Sequence, residues 1–169
     1  MPNWCENRIK ISHPDIAMMN KVCDAINTGK LCETFAPTPE HLLAGEGWYD
    51  WRIEHWGTKW DICEPYSFIL TKDGLSGEGG FQSPWCPPLM ILNKLEKIGY
   101  KIECAYLEDG MGFAGVYEDG IDRDIGDVYE LFKNEDWAEL ADNDMLSDML
   151  QYEYESWLEN KEEDETEEA

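Results

Sequence analysis

The residues best suited to catalysis or metal binding are few and widely spaced in this chain. Its three histidines are His13, His41 and His55, and no two of them have the spacing of metal ligands in zinc motifs. His55 follows Glu54, a pair that acid–base chemistry can use, but a lone loop histidine more commonly has a structural role. Phosphate-binding loops and nucleophile elbows are absent from the sequence. We therefore predict no catalytic residue, no metal site and no cofactor.

One enzymatic alternative depends on Pro2. Removal of Met1 would free its secondary amine, which could act as a base or nucleophile, as in tautomerases built from related βαβ units. Such an enzyme needs a cationic pocket for an anionic substrate, and Arg8, Lys10 and Arg52 are the candidate cations. Because a single residue at one end of the chain is a weak signal and Pro2 more simply just precedes the first strand, the tautomerase-like enzyme ranks third among our hypotheses.

The chain has six scattered cysteines, namely Cys5, Cys23, Cys32, Cys63, Cys86 and Cys104. None forms a C-x-x-C pair, and their spacing fits neither a zinc site nor an iron–sulfur cluster. The N-terminus has no apolar signal region, and no apolar run is long enough to span a bilayer. We therefore expect a cytoplasmic protein whose cysteines are mostly buried free thiols.

Charge divides the chain into two unequal parts. The 169 residues include 37 acids and 13 bases, for a formal net charge of −24. Residues 118–169 hold 21 of the acids and 3 of the bases, so a net charge of −18 lies in the last 52 residues. Such a surface repels nucleic-acid phosphates and anionic lipids, and we predict binding neither to nucleic acid nor to membranes.

Hydrophobic periodicity predicts the elements that carry these residues. Strands are predicted at 3–12, 67–74, 80–86, 100–110 and 110–120, and helices at 13–29 and 87–99. The resulting order is βαββαβ with one extra strand. This order predicts an α+β fold of the ferredoxin-like type, in which an antiparallel sheet carries helices on one face. Only the fold has that name, and no cluster is implied.

The pattern changes after Gly120, where only helices are predicted. The segments 124–134 and 143–161 each have an apolar face opposite a face rich in Asp and Glu. We divide the chain into a ferredoxin-like domain at 1–120, with a tryptophan-rich insertion at about 30–62, an acidic helical extension at 121–160 and a disordered acidic tail at 161–169.

Four of the eight tryptophans lie in WYDWRIEHWGTKWD, residues 48–61. They could line a binding groove and stack on bases or a ligand, with Arg52 and Lys59 as cationic contacts. Alternatively, they could pack across the open face of the sheet, which needs a cover when its helices lie on the other side. The interleaved acids favour packing, because they would repel a nucleic-acid backbone.

Four segments carry a resemblance to known proteins: MPNWCEN at 1–7, the tryptophan segment at 48–61, FQSPWCPP at 81–88 and GFAGVYEDG at 112–120. In their residues and in their order along the chain, they resemble the YubB-type family of plasmid and phage proteins, whose domain is described as ferredoxin-like. The resemblance covers about residues 1–120 and implies an origin on a mobile element. It brings no catalytic assignment, and family members more often have serine at the position of Cys86.

The acids of the extension are the predicted binding residues. On a helix, carboxylates four residues apart repeat every ~6 Å along the axis. Asp142, Asp144, Asp148, Glu155 and Glu159 are predicted to form one row, and Asp124, Asp127, Glu130, Glu135 and Glu139 a second. Trp137 and Trp157 would either anchor the extension or contact the partner.

These features predict a phage- or plasmid-encoded acidic inhibitor. It would bind the basic DNA-binding surface of a host DNA-handling or defence protein, such as a restriction enzyme, nuclease or repair complex. Mimicry of the charge of DNA is one way in which it could do so. The alternative is a protein-binding adaptor without mimicry. The sequence leaves the partner and the oligomeric state open.

Overall fold

The computed structural model describes residues 3–134 and 137–167, with side chains described as far as Lys161. Within these residues, six antiparallel strands form one sheet, with helices packed against both of its faces. The strands are β1 (Trp4–Ser12), β2 (Cys63–Leu70), β3 (Ser76–Pro84), β4 (Lys101–Glu108), β5 (Phe113–Glu118) and β6 (Ile121–Asp127). The helices are α1 (Ile16–Asn27), α2 (Leu31–Phe35), α3 (Glu40–Leu43), α4 (Gly47–Trp56), α5 (Leu89–Lys97), α6 (Val128–Asn134), α7 (Trp137–Leu140) and α8 (Asp144–Glu167).

The strands are arranged in the order β2-β3-β1-β4-β5-β6, and every neighbouring pair is antiparallel. Helix α1 connects β1 to β2 and helix α5 connects β3 to β4. The predicted α+β class and antiparallel sheet are therefore confirmed.

The first face of the sheet is the face covered by α1 and α5. Ile9 and Ile11 of β1 and Ile102 of β4 point into this core, because side chains alternate between the two faces of a strand. Helix α1 contributes Met19 and Ile26 to the same core. Burial of these side chains supplies the main driving force for the fold.

The tryptophan segment also packs on the first face. Its residues form α4, and Trp56 is buried in the core of α1 and α5, where its Nε1 donates to the carbonyl oxygen of Ala36 at 2.7 Å. The prediction that these rings cover the open face is therefore wrong. Trp60 has 40% of its surface exposed, so the segment is only partly core.

The second face of the sheet is covered by the extension. Ala105 and Leu107 of β4 and Ala114 and Val116 of β5 are buried there, against α6, α7 and α8. The helical residues of this second core include Val128, Phe132, Trp137, Leu146, Met149 and Leu150. Because β4 and β5 are apolar on both sides, the sheet needs this second layer to exclude water.

The prediction of helices alone after Gly120 is wrong at residues 121–127. These residues form β6, which pairs with β5 across the Asp119–Gly120 turn. The predicted tail at 161–169 begins inside α8, which continues to Glu167, and the last two residues lie outside the described part of the chain. The disorder predicted for this tail stays a prediction.

The outer edge of the sheet at β2 is partly occupied by a side chain of α1. Asn27 Oδ1 accepts a hydrogen bond from the Phe68 amide at 2.8 Å, and its Nδ2 donates to the Phe68 carbonyl at 3.0 Å. The amide side chain thus pairs with Phe68 much as a residue of a neighbouring strand would. This pairing satisfies both backbone groups of Phe68.

We predict that replacing Phe132 with alanine destabilises the protein by about 3–5 kcal/mol, because the change leaves a cavity in the second core. Phe132 is 1% exposed and contacts the rings of Trp137, Tyr154 and Trp157. Urea denaturation measures the difference. Tyr152→Ala on α8 is the control, because Tyr152 is 73% exposed and its removal should cost less than about 0.5 kcal/mol. Equal stability of both variants would contradict the second core.

Tyr100 gives the stability a dependence on alkaline pH. Its hydroxyl donates to the Met18 carbonyl at 2.7 Å, and burial, aided by Asp15, raises its pKa from 10.0 to about 12. Because the pKa of the hydroxyl is higher in the folded than in the unfolded protein, the neutral hydroxyl stabilises the fold fully below the unfolded-state pKa. This stabilisation is lost as the pH rises from the unfolded-state pKa through the folded-state pKa. We therefore expect the stability advantage of the native protein over Tyr100→Phe to be constant below pH 10 and to shrink between pH 10 and 12. Parallel denaturation profiles of the two proteins across that range would contradict it.

Candidate functional site

The exposed side of α8 carries a line of carboxylates that we call the α8 stripe: Asp144, Asp148, Glu155 and Glu159. All four are exposed. Their spacings of four, seven and four residues place them on one side of the helix. The opposite side is buried in the second core through residues such as Leu146 and Leu150. Helix α8 therefore presents acid to solvent while an apolar face fixes it to the sheet.

Aromatic residues pack the helices of the extension against one another. The Phe132 ring lies 6.1 Å from the Trp137 ring and 5.9 Å from the Trp157 ring, measured between centroids. Tyr154 stacks on Trp157 at 5.9 Å. Of the two roles predicted for Trp137 and Trp157, the contacts of both rings fit the anchor. Trp137 is 9% exposed, which leaves little of its surface for a partner.

The second predicted row of acids is divided among several elements. Asp124 and Asp127 lie on β6, Glu130 on α6 and Glu139 on α7, while Glu135 lies outside the described residues. A single helical row is therefore wrong for this set. The strand interrupts it, although the four described acids are all exposed.

Several of the predicted acids have local structural roles. Asp124 accepts a hydrogen bond from the Gly126 amide at 2.7 Å, and Asp127 accepts one from the Tyr129 amide at 3.0 Å at the start of α6. Asp142 precedes α8 and lies 3.4 Å from Arg123. These acids are less available to a partner than the α8 stripe.

Two of the sequence segments meet at one end of the sheet. Trp4 of NWCEN lies opposite Pro84 of FQSPWC in the β1–β3 pairing. Asn7 is fully buried there, and its Nδ2 donates to the Cys5 carbonyl and to Ser83 Oγ, each at 2.8 Å. Ser83 Oγ in turn donates to the Cys86 carbonyl at 2.7 Å. This chain of hydrogen bonds holds the turn after β3.

That turn holds Trp85, which the sequence analysis did not single out. Its φ of +71° lies in the left-handed region, which bulky residues rarely adopt, and 51% of its surface is exposed. Its amide donates to the Asn3 carbonyl at 2.9 Å. A tryptophan among three prolines, in SPWCPP, was the available signal, because proline-rich turns restrict the backbone.

The cations of the tryptophan segment are engaged by its own residues. The Arg52 guanidinium lies 4.4 Å from the ring centroid of Trp56 and 5.1 Å from that of Trp48, and its Nε donates to Thr38 Oγ1 at 3.0 Å. His55 stacks on Trp51 with centroids 4.1 Å apart. This arrangement fits packing better than an open groove for bases.

The three cations proposed for the tautomerase-like enzyme lie apart in the structure. Arg8 and Lys10 lie on the second face of β1, paired with Glu6 and Glu103, whereas Arg52 lies in α4 on the first face, so the three cations form no common pocket. Pro2 lies outside the described residues.

Burial raises the pKa of the Cys5 and Cys104 thiols well above the usual range, which keeps them protonated and poorly nucleophilic. Within residues 3–134 and 137–167, His, Cys, Asp and Glu form no group of three able to hold a metal ion.

Part of the second face beside α8 remains open. A groove of about 650 Å³ lies over β1, β3 and β4 and is lined by Lys10, Glu78, Lys101 and Glu103 among others. Lys10 and Glu103 are 4.0 Å apart across it. Its mixed charge selects no particular ligand.

Comparisons with known proteins give no relative. No family model matches the chain, and neither the curated proteins nor the solved structures contain a match. Among the described helices, none is both long and apolar enough to cross a membrane. The candidate site therefore rests on the geometry of this chain alone.

We predict that Ser83→Ala destabilises the protein by about 1–3 kcal/mol, because it removes the donor to the Cys86 carbonyl and leaves one Asn7 N–H group only the longer contact, 3.3 Å, to the Phe81 carbonyl. Thermal and urea denaturation measure the change. Ser67→Ala, at an exposed position of β2, is the matched control and should be nearly neutral. A neutral Ser83→Ala would mean that the hydrogen bonds of Ser83 contribute little to holding the turn.

Proposed function

We propose that this chain is an acidic inhibitor that binds a host DNA-handling or defence protein. The binding surface is the α8 stripe, and the partner is a protein with a basic DNA-binding surface. The observation that carries the proposal is the exposure of all four stripe acids on a helix whose other side is buried. A fixed row of negative charge complements a surface built to hold phosphates.

The cations of the extension leave the stripe available. Arg123 pairs with Glu118 and Asp142, and Lys133 pairs with Glu130. Lys161 lies 5.4 Å from the ring centroid of Trp157. Among the residues with described side chains, no cation forms a salt bridge with a stripe acid. A partner's Lys and Arg residues would therefore meet carboxylates that have no competing intramolecular ion pair.

We also propose that β1 to β4 with α1 and α5 form a ferredoxin-like unit, encoded on a plasmid or phage. The strand order β2-β3-β1-β4, with crossovers through α1 and α5, supports the fold assignment. The mobile-element origin rests on the resemblance of four sequence segments. An inhibitor of a host defence protein would benefit such an element.

The test is a capture experiment with full-length protein as bait in bacterial lysate, washed at low and high salt, with and without competitor DNA. Truncation at Gly120 is unsuitable, because it would uncover Ala105, Leu107, Ala114 and Val116 of the second core. One bait carries Asp144→Asn, Asp148→Asn, Glu155→Gln and Glu159→Gln, and we call it the neutral-stripe variant. The matched control carries Glu40→Gln, Glu46→Gln, Asp50→Asn and Glu54→Gln, four exposed acids of similar number and type near α3 and α4.

We expect the wild type and the matched control to retain a DNA-handling protein at low salt, and DNA or high salt to release it. The neutral-stripe variant should bind about tenfold more weakly or worse, because four exposed charge contacts are worth about 0.2–1 kcal/mol each. Both variants lose four negative charges, so an effect of net charge alone would weaken them equally. Capture that resists salt and DNA and is equal in all baits would instead indicate an adaptor without mimicry.

A further inference from the structure

Helix α8 extends past one end of the sheet. Near its start, Asn143 Nδ2 donates to Glu103 at the beginning of β4. Ten residues later, Glu153 accepts a hydrogen bond from Tyr129, whose hydroxyl also contacts the Asp109 carbonyl just after β4. The helix then continues to Glu167, about 20 Å farther at 1.5 Å per residue. The second half of the α8 stripe therefore lies toward the end of the sheet where β4 finishes.

The same end of the sheet exposes three large apolar side chains, which we call the tryptophan end: Trp4, Trp85 and Met111. Cys5 pairs with Glu108 at the end of β4, so the start of β1 lies beside the loop that contains Met111. Trp85 follows Pro84, the partner of Trp4. The three residues are 36%, 51% and 71% exposed, respectively. Exposed apolar residues concentrated at one place are typical of a binding surface.

The backbone of Trp85 indicates that this exposure has a cost. A positive φ is unfavourable for a bulky residue, and strain of this kind persists where the surrounding structure enforces it. Here the Ser83–Cys86 hydrogen bond and the Trp85–Asn3 hydrogen bond enforce it. Because half of the indole is exposed, its burial contributes only part of the hydrophobic stabilisation that a fully buried tryptophan contributes. The turn thus presents Trp85 to solvent at the expense of stability.

We propose that the tryptophan end is a second contact for the partner, with Trp85 as its apolar anchor. The inference rests on the proposed function and adds to it a requirement on the partner, which must have an apolar pocket beside its basic surface. Glu155 and Glu159 lie on the part of α8 that runs toward this end of the sheet, so a partner that contacts both surfaces needs basic residues and an apolar pocket on one side. Tryptophan is also the residue type most enriched among interface residues that dominate affinity.

The two surfaces contribute differently to binding. Exposed charges mainly accelerate association, and their effect falls with salt. A desolvated indole mainly slows dissociation and depends little on salt. The α8 stripe therefore controls the salt dependence of the association rate, and Trp85 controls the lifetime of the complex.

The test compares full-length wild type, Trp85→Gly, Trp85→Phe, Asp119→Gly and the neutral-stripe variant as baits in the same lysate. Glycine adopts a positive φ without strain, so Trp85→Gly removes the indole while keeping the turn. Relief of strain offsets the lost burial of the half-exposed indole, and the Tm should stay within about 5 °C of the wild type. Asp119 also has a positive φ and is exposed, so Asp119→Gly controls for relief of strain alone. The captured protein is identified by mass spectrometry, purified and measured for association and dissociation rates.

We expect Trp85→Gly to bind at least tenfold more weakly through faster dissociation, with an unchanged salt dependence of the association rate. Trp85→Phe should retain most of the affinity, and Asp119→Gly all of it. A Trp85→Gly bait that binds like the wild type overturns the inference and leaves the proposed function standing. If Trp85→Gly weakens binding of the partner but the neutral-stripe variant does not, the result supports Trp85 as the anchor and contradicts the role of the α8 stripe. Both the inference and the proposed function are overturned if the wild type captures no protein that DNA releases, or if all baits capture the same protein equally.

Discussion

The need to cover both faces of the central strands determines the architecture of this protein. Ile102 and Cys104 of β4 point to one face, and Ala105 and Leu107 point to the other. An apolar strand of this kind is stable only between two layers. Helices α1 and α5 supply one layer, and the residues after Gly120 supply the other. The acidic extension is therefore part of the folding unit, and its charges are held in place by the burial of its apolar side.

Large rings of β2 fill the space over glycines of β3, Phe68 within the first core and Tyr66 at an exposed position. A Cβ atom on Gly77 would lie 2.6 Å from the ring of Phe68, and one on Gly80 would lie 2.6 Å from the ring of Tyr66. The glycines of β3 thus allow the rings of β2 to approach the backbone of β3 closely. This packing joins β2 to the sheet although their pairing is irregular.

The elements that could be predicted from the sequence are those whose apolar and polar residues follow the pattern of buried and exposed positions. Strand β1 alternates, and α1 and α5 have apolar faces at helical spacing, so their positions followed from periodicity. The position of β6 could not be predicted in this way, because its residues, IDRDIGD, are almost wholly exposed and form a strand through pairing with β5. The Asp119–Gly120 dipeptide was the signal that could have located this hairpin. The spacing of acids predicted the α8 stripe, whereas the exposure and strained backbone of Trp85 depend on a turn that periodicity does not describe.

The Asn27 side chain that pairs with Phe68 has a consequence for how copies of this protein meet. An edge strand with free backbone groups can serve as a template for another chain and lead to polymers. Asn27 occupies both groups of Phe68, and the irregular backbone around Glu64, with a φ of 43°, interrupts the remaining edge. The opposite edge, at β6, is exposed and carries three acids and one arginine, and charged side chains on an edge strand disfavour its pairing with another chain. Growth of the sheet from copy to copy is therefore disfavoured at both margins.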